Sequence, residues 1–226
     1  MGNTRMDSEI LTSLKKNEQK LGTPKIKGRI HFDEKYARVK DHWEYRLTAI
    51  DSKTKLVLAE LVVEERTLKA CVLFLQQIKN WCYKQMMERY KKELQKPAKK
   101  RKLIFFVSDK FWNYHVAWKK LFYRITKLKF GVPIACKKFG LKHNNNSVER
   151  HNRELSRRFD ALNVFQTHEG AAATSALCKI LHNYVNPHCT LKGKTPAESA
   201  ELILPLGTNK LLGLINLARK AEMTIS

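Results

Sequence analysis

Three carboxylates stand out in this sequence by position: Asp33, Asp109 and Glu149. From residue 94 to residue 153 the chain is crowded with lysine and arginine, and Asp109 and Glu149 are the only acids there. Three carboxylates converging without cationic partners repel one another by several kcal/mol at a partly buried site. Hard divalent cations relieve that repulsion, and oxygen donors from Asp and Glu suit Mg²⁺ or Mn²⁺. Two such ions about 3.5–4 Å apart form a clamp for in-line attack at phosphorus.

Each acid also has an ordinary reading. Asn146 three residues before Glu149 approximates a capping box, and a glutamate is favourable in a first helical turn. Asp109 can open the turn that follows "FFVS". Asp33 is harder to dismiss, since aspartate is depleted inside strands. Glu34 and Asp51 are its rivals. Glu34 falls on the face of Ile30 and Phe32, which points to the core, and Asp51 sits at a hairpin turn.

The elements that would position these groups are legible in outline. "RIHFDEKYARVK" alternates Ile30 and Phe32 against His31 and Asp33, which predicts a strand. "EYRLTAI" and "KLVLAELVVEE", joined by "DSKT", complete an antiparallel meander. Apolar groups at Cys71, Phe74, Leu75, Ile78, Cys82 and Met86 predict a helix over 67–92. "KLIFFVSD" reads as a strand buried on both faces and ending in Asp109. A helix over "WNYHVAWKKLF", a strand near "KLKFGVPIA", and helices from Asn146, over "EGAAATSALCKILHNYV" and at "KTPAESA" follow. This order predicts an α/β fold, a mixed five-stranded sheet flanked by helices in three layers. Phe111, Trp112, Tyr114 and Trp118 fall at helical spacing and are read mostly as core, the alternative being that one of them stacks on a flipped or frayed base. "DSEILTSLKKNEQKL" predicts an amphipathic lead-in helix.

Composition sets the partner. The 226 residues carry a net charge of +23, a field that draws polyanions through counterion release, with nucleic acid the first candidate. No apolar run approaches the roughly 18 residues that span a bilayer. The five cysteines are odd in number and lack C-x-x-C spacing, so a reducing compartment is expected. Cys178, His182, His188 and Cys189 match no common zinc spacing. A soluble, intracellular protein is expected: cytoplasmic and nucleoid-associated, or nuclear in a eukaryote, with no membrane partner.

With these residues in hand, the chain resembles DDE-type insertion-sequence transposases, relatives of retroviral integrases. "HFDEKY" resembles the first-strand motif and "YRLTAIDSKTKLVLAELVVEERT" the next two strands. "FFVSDKFWNYHVAW" is similar to the second-aspartate block, "NNNSVERHNRELSRRF" to the glutamate block, and "HNYVNPHCTLKGKTPAES" to the end of the domain. The resemblance implies a ribonuclease-H-like domain over 27–203, between a lead-in over 1–26 and a helical tail over 204–226. It implies that Asp33, Asp109 and Glu149 are catalytic and ligate two Mg²⁺ or Mn²⁺ ions. The implied reaction is cleavage at element ends followed by strand transfer into target DNA. Lys142, Asn146, Arg150, Arg153 and Arg157 would contact double-stranded DNA, and a homodimer or higher oligomer would assemble on it. Related transposases often carry a lysine at the position of Ser156, and Arg157 is its expected substitute. Relatives also carry an end-recognition region before this domain. Residues 1–26 are too short for one, so either the chain is truncated or recognition comes from elsewhere. A same-fold nuclease, and a domesticated DNA binder without chemistry, are the alternatives.

Overall fold

The computed structural model describes residues 22–130, 148–153, 155 and 165–223. The lead-in helix expected before residue 22 lies outside them. β1 (Ile30–Val39) runs antiparallel to β2 (His42–Asp51), which runs antiparallel to β3 (Val57–Val63). β4 (Phe105–Ser108) pairs with β1 in parallel, and β5 (Lys127–Phe130) pairs with β4 in parallel. The sheet order is therefore β3-β2-β1-β4-β5. This is the mixed five-stranded arrangement that the alternation of strands and helices predicts.

The period-two pattern of β1 divides the sheet into two packed faces. Ile30 and Phe32 are fully buried, and Phe32 lies edge-on to Phe74, Phe106 and Tyr114. Phe74 comes from α1 (Leu68–Leu94), and Tyr114 from α2 (Trp112–Phe122). The α1 stripe of Cys71, Phe74, Leu75, Ile78, Cys82 and Met86 is buried as its helical spacing requires. Thr67 caps this helix by accepting from the Ala70 N–H at 3.1 Å.

The other face receives α3 (His168–Ile180), followed by a π-helical turn over Leu181–Val185. Ala171 packs on Val39 and Val62, and Cys178 packs with Ala37 and Leu155. A helical stretch over 148–153 lies on the same face, with Val148 buried against Ile50 and Val57. Its inward stripe is Val148, His151, Asn152 and Leu155, all buried. Asn152 accepts a hydrogen bond from the buried Arg46 guanidinium at 3.3 Å. Arg46 also lies 3.8 Å from Glu60, whose side chain is buried, so its charge is partly answered inside the fold.

The turn from β2 to β3 explains Asp51. Its carboxylate accepts the N–H groups of Lys27 at 2.8 Å and Lys53 at 3.0 Å. A Cβ at Gly28 would meet Asp51 Oδ1 and Ser52 Oγ at 2.4 Å, so only glycine permits this approach. Asp51 is a structural clamp. Two further helices close the domain. α4 (Pro196–Ser199) has a full capping box between Thr195 and Glu198, and α5 (Lys210–Met223) buries Leu214 in the main core.

Candidate active site

Asp33 leaves β1 on the face of α3, while Glu34 leaves on the face of α1 and α2. Parallel pairing sets Ile30 beside Phe106 and His31 beside Val107. Carrying that register two residues further brings Asp33 alongside Asp109, the first residue after β4. The carboxylate oxygens of Asp33, Glu34 and Asp109 lie within 4.8 Å of one another. Asp109 is held at the strand end by the Phe111 N–H, 3.2 Å from its Oδ1, and Ser108 Oγ donates to its backbone carbonyl at 2.8 Å.

The Asp33 carboxyl is pushed up from 3.8 to about 7. Burial is the largest cause and the Glu34 charge the next, partly offset by a hydrogen bond from the Glu34 backbone N–H. The charges of Asp109 and Glu149 raise it further. Glu34 differs. Burial and Asp109 raise its carboxyl, but it pairs with Arg66 and accepts from the Tyr114 hydroxyl at 3.1 Å. Arg66 is fixed in turn, its guanidinium 4.5 Å from the Phe111 ring centroid and 4.8 Å from that of Tyr45. Glu34 thus carries its own counter-charge, whereas the charges acting on Asp33 are carboxylates.

Glu149 reaches this neighbourhood through the helical stretch described above. Val148, His151, Asn152 and Leu155 turn inward, and Glu149, Arg150 and Arg153 turn away from that packed stripe. Glu149 is half-buried, and its charge is felt at Asp33. Of the three acids singled out by sequence, Asp33 and Asp109 meet within 4.8 Å, while Glu149 stands outside that group and acts on Asp33 through its charge. The donor set is oxygen-only and mutually repulsive, so it fits a hard divalent cation.

The basic residues fall on either side of what the structure describes. Arg150 and Arg153 are exposed. Arg150 stands near Lys55, whose ammonium is held below its ordinary value by burial and then by the Arg150 charge. Lys142, Asn146, Ser156 and Arg157 lie outside the described residues, as does the proposed Asn146 cap.

Two features go beyond the main sequence reading. Glu34 joins the acidic group although its strand face points to the core, because Asp109 at the tip of β4 stands within reach of both faces. The second is Trp112. Tyr114 and Trp118 are core as expected, but Trp112 is 69% exposed at the first residue of α2, three positions after Asp109. Cys178, His182, His188 and Cys189 do not form a metal-competent group among the described residues.

A family model described as a DDE domain, of the IS240 transposase type, matches residues 27–188. No curated protein matches the sequence. Among solved structures, a chain of the simian T-cell lymphotropic virus intasome in complex with PP2A regulatory subunit B56 gamma is 12% identical, with a TM-score of 0.50. The likeness covers 83% of this chain but 59% of the viral one, so this chain spans under two thirds of that relative. The HTLV-2 integrase catalytic core domain in complex with magnesium is 14% identical, with a TM-score of 0.40, over 77% of this chain and 94% of that one. The catalytic domain of the Mos1 mariner transposase is 13% identical, with a TM-score of 0.41, over 98% and 93% respectively. The sheet order and flanking helices are those of the ribonuclease-H-like fold.

Proposed function

The chain belongs to the DDE domain family of transposases, and on that premise we propose that it is a polynucleotidyl transferase acting on double-stranded DNA. The observation that carries the site assignment is the meeting of Asp33 and Asp109 from adjacent parallel strands, with Glu149 close enough to act on Asp33. Asp33, Asp109 and Glu149 would hold two divalent ions, Mg²⁺ or Mn²⁺. Bound there, such ions supply activation of the attacking oxygen and charge neutralisation at the leaving one.

The chain's own residues do the positioning. β1 and β4 fix two carboxylates on adjacent paired strands of the sheet. The helical stretch over 148–153 brings the third from a separate element, anchored by Val148 and Asn152. Glu34, held by Arg66 and Tyr114, keeps the backbone at Asp33 in place. Arg150 and Arg153, with Lys142, Asn146 and Arg157, would hold DNA phosphates and so fix the scissile bond against the carboxylates. In the first reaction a P–O bond to water forms as the bond to the 3′ oxygen breaks. In the second, the freed 3′-hydroxyl forms the new bond to target DNA as a target P–O bond breaks. Both ends of an element must be joined, so the working unit is a dimer or larger assembly on DNA.

The test incubates the full chain with supercoiled plasmid and Mn²⁺ beside Glu149→Gln. Nicked and joined products from the wild type alone support the proposal. Nicked products without joining point to a nuclease. Binding without either product points to a DNA binder without chemistry, and equal activity in both proteins refutes the role of Glu149.

A further inference from the structure

A second group of metal-competent side chains lies at the other end of the same sheet face. The carboxylates of Glu44 and Glu64 and the imidazole of His168 place one donor atom each within 4.8 Å of the others. A fourth donor, outside that group, adjoins Glu44. His42 Nε2 lies 3.2 Å from Glu44 Oε1, while His168 Nδ1 lies 2.7 Å from Glu44 Oε2. Glu44 itself is fully buried between the two imidazoles.

We propose that His42, Glu44, Glu64 and His168 form a second metal site, of the zinc type, that fastens α3 to the edge of the sheet. The donors come from separate elements. His42 and Glu44 alternate on β2, Glu64 follows the end of β3, and His168 is the first residue of α3. β2 and β3 pair Tyr45 with Val63, so the next position sets Glu44 opposite Glu64. Like charges directly opposite on paired strands are destabilising. Here one carboxylate of the pair is also removed from water, which adds a desolvation cost. A divalent cation answers both penalties, and two carboxylates with two neutral imidazoles leave a zinc complex with no net charge.

Donor chemistry separates this site from the Asp33 group. Two nitrogens and two oxygens are the ligand types of tetrahedral zinc, whereas the oxygen-only set suits Mg²⁺ or Mn²⁺. Four protein donors would close the coordination sphere, which is the pattern of a structural rather than a catalytic ion. The two sites share a sheet face but not a ligand. Thr48 faces Asp33 across β1 and β2, and Glu44 lies four residues along β2 from it, about 13 Å away. Fastening matters at this end because β3 is an edge strand and, among the described residues, the segment leading into α3 joins the sheet at the bridge of Val39 with Phe165. The inference uses none of the residues assigned to the phosphoryl-transfer site, so a failure of that assignment leaves it standing.

The experiment strips the full chain with EDTA and titrates it with Co²⁺, then Zn²⁺, in the Asp109→Asn background, which disables the first group. The expected result is one saturable equivalent with the strong visible bands of tetrahedral cobalt, displaced by Zn²⁺. Since losing even a group behind a metal ligand costs 10–100-fold in affinity, His168→Gln and Glu64→Gln should each weaken binding at least about tenfold. Glu64 is exposed, so its variant keeps the fold even if that of His168 does not, and the metal-free circular dichroism spectrum verifies this. Absence of tetrahedral cobalt bands, or Zn²⁺ affinity unchanged by Glu64→Gln in the folded variant, would overturn the proposal.

Discussion

Replacing Asp33 by asparagine should stabilise the metal-free protein and remove its response to divalent ions. In the wild type, the carboxylates of Asp33, Glu34 and Asp109 stand within 4.8 Å of one another. A pair of unit charges at that distance repels by about 1 kcal/mol in water and about 3.5 kcal/mol at an effective dielectric constant near 20. The rise of the Asp33 carboxyl from 3.8 to about 7 corresponds to a penalty of about 4 kcal/mol on its ionised form. The group is partly exposed, and screening reduces the stability effect to about 1–3 kcal/mol. For a domain of this size that is about 3–10 °C in Tm. The sign follows from linkage. The folded state holds the Asp33 proton more tightly than the unfolded chain, so wild-type stability falls as pH rises from about 4 to about 7. Asparagine has no such proton, so the gap between variant and wild type opens across that window and is complete above about pH 7. Differential scanning fluorimetry in EDTA at pH 8 should show the variant melting higher. Added Mn²⁺ should raise the wild-type Tm and leave the variant nearly unchanged. An asparagine variant that melts at or below the wild type in EDTA would refute the account of Asp33 as an uncompensated charge.

Other outcomes follow from the same geometry. Trp112→Ala, which removes an exposed ring beside Asp109, should leave the unfolding free energy within about 0.5 kcal/mol of wild type. It should weaken binding to a frayed or single-stranded DNA end by about 1–3 kcal/mol in fluorescence anisotropy. Phe74→Ala empties a site in contact with Phe32 and Tyr114 and should cost about 3–5 kcal/mol by denaturant unfolding. Thr195→Ala breaks the capping box of α4 and should cost about 0.5–2 kcal/mol in the same assay. The Glu198 carboxyl is held below its ordinary value, first by Lys210 and then by the Thr195 backbone N–H. Its contribution is present above about pH 4.5 and lost as pH falls through the depressed value, so Glu198→Gln should destabilise at pH 7 and by less as the pH falls below 4.5.

Where local periodicity carried information, the sequence was sufficient. The alternation of β1 separates Phe32 from Asp33, and that separation is the difference between core and site. The 3.6-residue stripe from Cys71 to Met86 specifies α1, because a helix over these residues must bury that face. The scarcity of acids between residues 94 and 153 made Asp109 and Glu149 visible without any fold, and the charge of +23 pointed to a polyanion. Tertiary structure decided what meets what. Asp33 and Asp109 become neighbours through a parallel register, which depends on which strands pair and not on either segment's own pattern. Glu34 joins them because a strand tip is reached from both faces, which face assignment by alternation does not register. Trp112 has the helical spacing of a core residue, but it begins its helix, where no preceding turn covers it. Glu44, Glu64 and His168 have no motif spacing at all. Two strands and a helix bring them together, because a sheet edge and a docked helix terminus place residues far apart in the chain within ligand distance.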